Sequence, residues 1–307
     1  MEYVQRMTRM GRTLNSFKTV IELIRFELIQ AVAQRRILAV ISLYFLVIAA
    51  LSWSWLWFND FVEEEWAKRN IESEGLTGEL LLDMVKEQLF ERFVGFVGED
   101  IPGGIATLYQ EHPIAFLLML GVTIFLPALV VTATFDHGLE NIQNRVFHFY
   151  ALRVTRNEWF IAHYISALIL TFIPATLGIF TLIIVNVYQF GNLGLLSAEG
   201  FLRLESIALV LIIYTQSWIF LTKSFARSSM TALILAVACL VSLSLTPWLA
   251  DHWLILSPFE LLTKSRWEDG LWSDNTIVFI QSLGGLSAIS LVPTTLAWFL
   301  WKRRSLA

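Results

Sequence analysis

No Gly-Lys dipeptide occurs anywhere in the 307 residues. A phosphate-binding P-loop needs that pair after its glycine-rich turn, so the chain does not hydrolyse nucleotide by that route. His-Glu-x-x-His and Gly-x-Ser-x-Gly are also absent, which removes the signatures of a zinc protease and of a serine hydrolase. Cys239 is the one cysteine, so no intrachain disulfide forms, and we read it as a small packing residue. Charge is scarce as well: Asp, Glu, Lys and Arg make up 16% of the chain, against about 25% in a soluble domain.

What fills the chain instead is apolar, at 56% of residues. Six stretches, 37–58, 113–135, 159–187, 206–221, 230–250 and 276–301, contain no Asp, Glu, Lys or Arg. At ~1.5 Å per residue most of them cross a ~30 Å hydrocarbon core. The stretch 206–221 is the shortest and needs flanking residues to span. The expectation is an all-α polytopic membrane protein with six transmembrane helices and no charge in the bilayer interior. Ion-coupled carriers usually hold an ionisable side chain at depth, and this chain offers only groups such as Thr132, Thr134, Thr171, Thr215, Gln216 and Gln281 there. That absence argues against a carrier and against a membrane hydrolase.

Orientation follows from the basic residues. With the N-terminus in the cytoplasm, 15 of the 22 Lys and Arg fall inside, whereas 20 of the 26 Asp and Glu fall outside. Lys and Arg near span ends decide topology, so both termini are expected in the cytoplasm, at the inner membrane of a bacterial cell. Trp53, Trp55, Trp57, Trp248, Trp253 and Trp272 fall at the outer interface, and Trp159 and Trp301 at the inner one. We read them as an anchoring aromatic belt.

Two domains of unequal weight result: a cytoplasmic segment 1–36, too polar for a cleavable signal peptide, and a six-span body 37–307. In residues 15–34, Phe17, Ile21, Ile24 and Leu28 recur at helical spacing, with Arg25 largely off the stripe. This predicts an amphipathic interfacial helix on the inner leaflet. The outer loop 59–112 is too long for a bare connector. It carries a second stripe, Leu82, Val85, Leu89 and Phe93, which predicts a helix over about 78–97, read either as part of a folded cap over the outer mouth or as a surface for a periplasmic or extracellular partner. Ser257-Pro258-Phe259-Glu260 is a capping box with proline at the first helical position, and starts a short helix at the outer surface or re-entering it. Gly284 and Ala288, with Gly285 and Ser287, form a small-residue face suited to close helix packing.

The loop 136–158 is short, basic and aromatic. Thr155-x-x-Glu158 is a capping box, so a helix begins near Arg156 and runs into the third span. Phe147, Phe149, Tyr150 and Leu152 are left as apolar side chains on a cytoplasmic turn and need a groove or a membrane to cover them. Gly138-Leu139, then Ala151-Leu152-Arg153-Val154-Thr155-Arg156, then Ala162-His163, together resemble the corresponding loop of type-2 ABC transporter permeases. That family carries an acidic residue, a Gly-Thr or Gly-Leu pair, a Pro-Val-Ser-Arg-like turn and a Gly/Ala-Lys entering the third span. Arg153 stands where proline is usual, His163 where lysine is usual, and Asp136 lies nearer the glycine than the pattern has it. Ser257-Pro258-Phe259 and the short basic tail are similar to the family too.

The resemblance implies the membrane-spanning subunit of an exporter. It would pair with a second copy or a related permease and with two separate ATP-binding subunits. ATP and Mg would be bound by those subunits, and this chain would carry no cofactor, no metal and no nucleic-acid partner. Gly138, Glu140, Arg145, Phe147, Phe149, Tyr150, Leu152, Arg153 and Arg156 would then form the coupling helix that seats in the ATPase. The alternative is a membrane scaffold or assembly factor acting through the loop 59–112.

Overall fold

A computed structural model describes residues 2–35, 37–50, 53, 125–135, 154–190, 198–226, 228–253, 257–273, 275 and 276–303. Every regular element among them is a helix. The order is α1 (Glu2–Ala33), α2 (Ile37–Ala50), α3 (Leu126–Thr134), α4 (Arg156–Phe190), α5 (Ala198–Phe225), α6 (Ser229–His252), α7 (Ser257–Glu260), α8 (Ser265–Leu271) and α9 (Thr276–Arg303). Four of these, α4, α5, α6 and α9, are long and apolar enough to cross a membrane, and α1 with α2 makes a fifth if that bent pair is one span. Over the described residues the chain is thus all-helical, with the makeup of a multi-pass membrane protein.

Hydrogen-bond chemistry explains the choice of helix. In hydrocarbon each backbone N–H and C=O must be satisfied within its own segment. Hydroxyl side chains in the long helices follow the same rule by turning back on the preceding turn: Thr171 donates to Ala167 O (3.0 Å), Ser290 to Leu286 O (2.7 Å) and Thr181 to Leu177 O (2.8 Å). Caps set the helix starts. Thr155 and Glu158 close the expected capping box at the start of α4: Glu158 N–H donates to Thr155 Oγ1 at 3.3 Å, and Thr155 N–H to Glu158 Oε2 at 2.8 Å. Ser228 caps α6 through Thr231 N–H at 3.2 Å.

α5 is the central helix. It packs against α9, α4, α6 and α3, and two-thirds of its apolar window is buried. α9 runs parallel to it, as the pairs Arg203 with Phe279 and Ser217 with Thr294 show. α4 runs the other way, since Thr176 meets Glu205 and Tyr164 meets Ser217. The main core gathers Ile179 and Ile183 of α4, Ile207, Leu211 and Ile212 of α5, Leu126 and Val130 of α3, and Leu286 of α9. α6 is the outlying helix, with only 11% of its apolar window buried.

The segment after α6 breaks into two short helices rather than one. α7 ends after Glu260, and α8 follows with Leu271 and Trp272 in the main core. Tyr214, near the middle of α5, donates to Leu262 O at 2.9 Å. A contact that deep means the hairpin 257–272 re-enters the bundle. Its fit depends on Gly285, because a methyl group there would collide with the Trp267 ring of α8. Gly284 beside it faces open space. The small-residue face expected in this span is therefore divided: Gly285 receives the hairpin, while Gly284 and Ala288 point outward. Trp272 is buried in the core instead of standing in an outer belt, whereas Trp53, Trp248 and Trp253 are exposed.

α1 differs from its sequence reading in the face it buries. Leu23, Glu27 and Ala31 point inward, at spacing i, i+4 and i+8. Phe17 and Ile21 are exposed, Arg25 is exposed, and Ile24 and Leu28 are half-buried. The stripe read from hydropathy lies to one side of the contact face, because a glutamate holds the centre of that face. α2 leaves at 71° to α1. Leu82, Val85, Leu89 and Phe93 of the outer loop lie outside the described residues, as does most of the second span.

Candidate functional site

Four basic residues, Arg156, Lys223, Lys302 and Arg303, gather where α4 begins and where α5 and α9 finish. Just inside this basic end lies a buried ionic cluster contributed by three helices. Glu27 of α1 is 3% exposed, His163 of α4 1% and Lys223 of α5 1%. His163 Nδ1–H donates to Glu27 Oε2 at 2.8 Å, and Ser166 Oγ–H donates to the same oxygen at 3.0 Å. Lys223 lies within the electrostatic reach of Glu27. A single charge so far from water would be very costly, and the arrangement persists because anion, cation and hydrogen-bond donors are buried together.

Aromatic rings wall the cluster. His163 stacks on Trp159 with centroids 5.1 Å apart, Trp159 stacks on Trp301 at 4.8 Å, and Phe220 lies 5.1 Å from the imidazole. Lys223 Nζ sits 4.8 Å from the centre of the Phe220 ring, within the range of a cation–π contact. Trp159 and Trp301 were expected as lipid-facing anchors. They are instead 4% and 5% exposed and seal the polar cluster.

Glu158 ties the same end together from outside. Its Oε2 takes the Thr155 N–H that ends the loop 136–158, and its Oε1 takes the hydroxyl of Ser16 on α1. Arg156 donates to Lys302 O at 2.6 Å, and Trp298 Nε1–H to Asn157 Oδ1 at 3.2 Å, so the C-terminal end of α9 is held there too. Contacts between α1 and α4 advance in step, from Ser16 with Glu158, through Glu27 with His163 and Ser166, to Ala31 with Leu170. α1 thus lies alongside the first half of α4.

A second polar layer crosses the middle of the bundle. Tyr214, Thr215, Gln216 and Ser217 are consecutive and all buried on α5. Thr134 of α3 donates to Gln216 Oε1 at 3.1 Å, Tyr164 of α4 lies 3.0 Å from Ser217 Oγ, and Thr294 of α9 donates to Ser217 Oγ at 2.9 Å. Gln216 Nε2 and Trp218 Nε1 are buried without a hydrogen-bond partner among the described residues.

Of the coupling residues predicted from sequence, Arg156 is described and sits at the basic end. Gly138, Glu140, Arg145, Phe147, Phe149, Tyr150, Leu152 and Arg153 lie outside the described residues, as do Asp136 and His137. Glu27, Ser166 and Lys223 were not singled out by sequence. The signal for Glu27 is present in hindsight: it shares a helical face with Leu23 and Ala31. The expectation of a bundle without charge also fails. α5 extends beyond 206–221 in both directions, so Arg203, Glu205 and Lys223 lie on a membrane-length helix. An ion-coupled carrier is therefore not set aside for want of charge on its helices. Among the described residues, no group of three or more His, Cys, Asp or Glu is placed to hold a metal ion. No protein-family model matches the sequence, and no curated protein matches it.

Proposed function

We propose that the chain is the membrane-spanning subunit of an ATP-binding-cassette exporter, with six spans, both termini in the cytoplasm, and ATP and Mg bound by separate ATPase subunits. One observation carries this reading. The Glu158 carboxylate takes a hydrogen bond from the end of the loop 136–158 with one oxygen and from α1 with the other. A push on that loop is therefore passed at once to α1 and to the start of α4. From there Glu27, His163 and Lys223 carry it to α5. This is the linkage a permease needs, because ATP-driven movement has to enter the bundle from a cytoplasmic partner. α1, which lies alongside the first half of α4 with Phe17 and Ile21 outward, serves as the lever.

The test is purification of the tagged full chain from its own membranes in mild detergent. A P-loop ATPase at about one copy per chain, with ATP hydrolysis by the pair, is the expected result. Recovery of the chain alone, or only with proteins of the outer face, overturns the reading and favours the scaffold acting through 59–112.

A further inference from the structure

Glu205 stands apart from the basic-end cluster, near the opposite end of α5. Its Oε2 accepts from Thr176 Oγ1 of α4 at 2.9 Å. Its Oε1 is buried with no hydrogen-bond partner among the described residues. The nearest basic residue on its own helix, Arg203, is turned away: its guanidinium lies 4.7 Å over the Phe279 ring and donates to Ser273 O. A carboxylate with one unpartnered oxygen on a membrane-spanning helix lacks the compensation that a buried charge requires.

The surroundings of Glu205 indicate what supplies it. Residues three and four apart share a helix face. Leu202 and Leu209 flank Glu205 on α5, and Ile173 and Phe180 flank Thr176 on α4; they are 63%, 38%, 54% and 47% exposed. The two antiparallel helices, with Tyr44 of α2 within electrostatic reach on the buried side, therefore frame one half-buried carboxylate between open apolar walls. Glu205 lies four residues inside the Phe201–Phe225 span, or ~6 Å from its end at 1.5 Å per residue. That is a depth at which a headgroup can meet a side chain while its hydrocarbon lies against the walls.

We propose that Glu205 and Thr176 form a lateral binding site, open to the bilayer, for the ammonium head of an amphiphile. The ammonium approaches the half-buried Oε2 edge, where the oxygen that accepts from Thr176 has a second lone pair to offer. Lipid headgroups and free long-chain amines share this chemistry. The inference does not depend on the exporter reading.

The experiment is native mass spectrometry of the full chain exchanged into mixtures of phosphatidylethanolamine and phosphatidylglycerol, with dodecylamine or dodecanoate as competitor. The wild-type chain should retain phosphatidylethanolamine over phosphatidylglycerol. Glu205→Gln, which keeps shape and removes charge, should weaken that retention about tenfold at unchanged thermal midpoint, as loss of a charge-assisted contact implies. Displacement by dodecylamine but not by dodecanoate identifies a site that also takes free amines. Resistance to both, with the lipid preference intact, restricts it to the lipid headgroup. Equal retention of the two lipids by the wild-type chain, or unchanged retention by Glu205→Gln, overturns the proposal. The lipid and competitor comparisons on the wild-type chain decide the matter even if the variant fails to fold.

Discussion

Glu27 accepts from both His163 and Ser166 with a single oxygen and also offsets the charge of Lys223. Removing it leaves an imidazole and an ammonium buried without their anion. Glu27→Ala should therefore destabilise the bundle by about 3 kcal/mol, the scale for breaking one side of a buried pair. Adding Lys223→Met should recover a good part of that loss, because the cation that Glu27 helps to balance is then gone as well. Thermal unfolding of the single and double variants in detergent checks this. Equal losses for Glu27→Ala with and without Lys223→Met would show that Lys223 is compensated by other groups. Trp159 and Trp301 belong to the same account: their rings keep water from the cluster, so their place is set by a polar neighbour and not by the lipid surface.

Helices meet at points where one atom more would separate them. Gly285→Ala should cost about 1–3 kcal/mol, because the added methyl has no room beside Trp267 and a packed site resists displacement. Gly284→Ala, one residue away in open space, should leave the thermal midpoint unchanged or raise it slightly. Thermal melts of the two variants side by side provide the comparison, and a loss at Gly284 as large as at Gly285 would mean that the hairpin 257–272 does not dock as described. The sequence made the long helices legible because uninterrupted apolar runs leave the backbone no alternative in a membrane. The capping box at Thr155 and Glu158 was legible because two side chains and two backbone amides decide it locally. The contact face of α1 and the length of α5 were not, because hydropathy counts Glu27, Glu205 and Lys223 against burial. Their burial depends on partners 136 residues away in the case of Glu27 and His163. Likewise, a run such as Gly284-Gly285 does not reveal which glycine a tryptophan will choose.

For the whole molecule, the linkage at the basic end predicts a division of effects. Replacing Tyr150 and Leu152 together by Asp should reduce co-purification of an ATPase at least tenfold, while the chain's own helix content and melting stay as in the wild type. Quantified pull-down, circular dichroism and thermal melting of the same preparation separate the two. Undiminished ATPase recovery would remove the loop 136–158 from the coupling role. Between this end and the opposite one lies the layer in which Tyr214, Gln216 and Ser217 hold the hairpin, α3, α4 and α9. An α-helix turns ~100° for each residue it advances, so any screw or slide of α5 would part all four of these links together. The bundle has in effect a stiff waist. If the chain works as the proposed exporter subunit, its opening and closing fall at the two rims, about a middle that travels as one body.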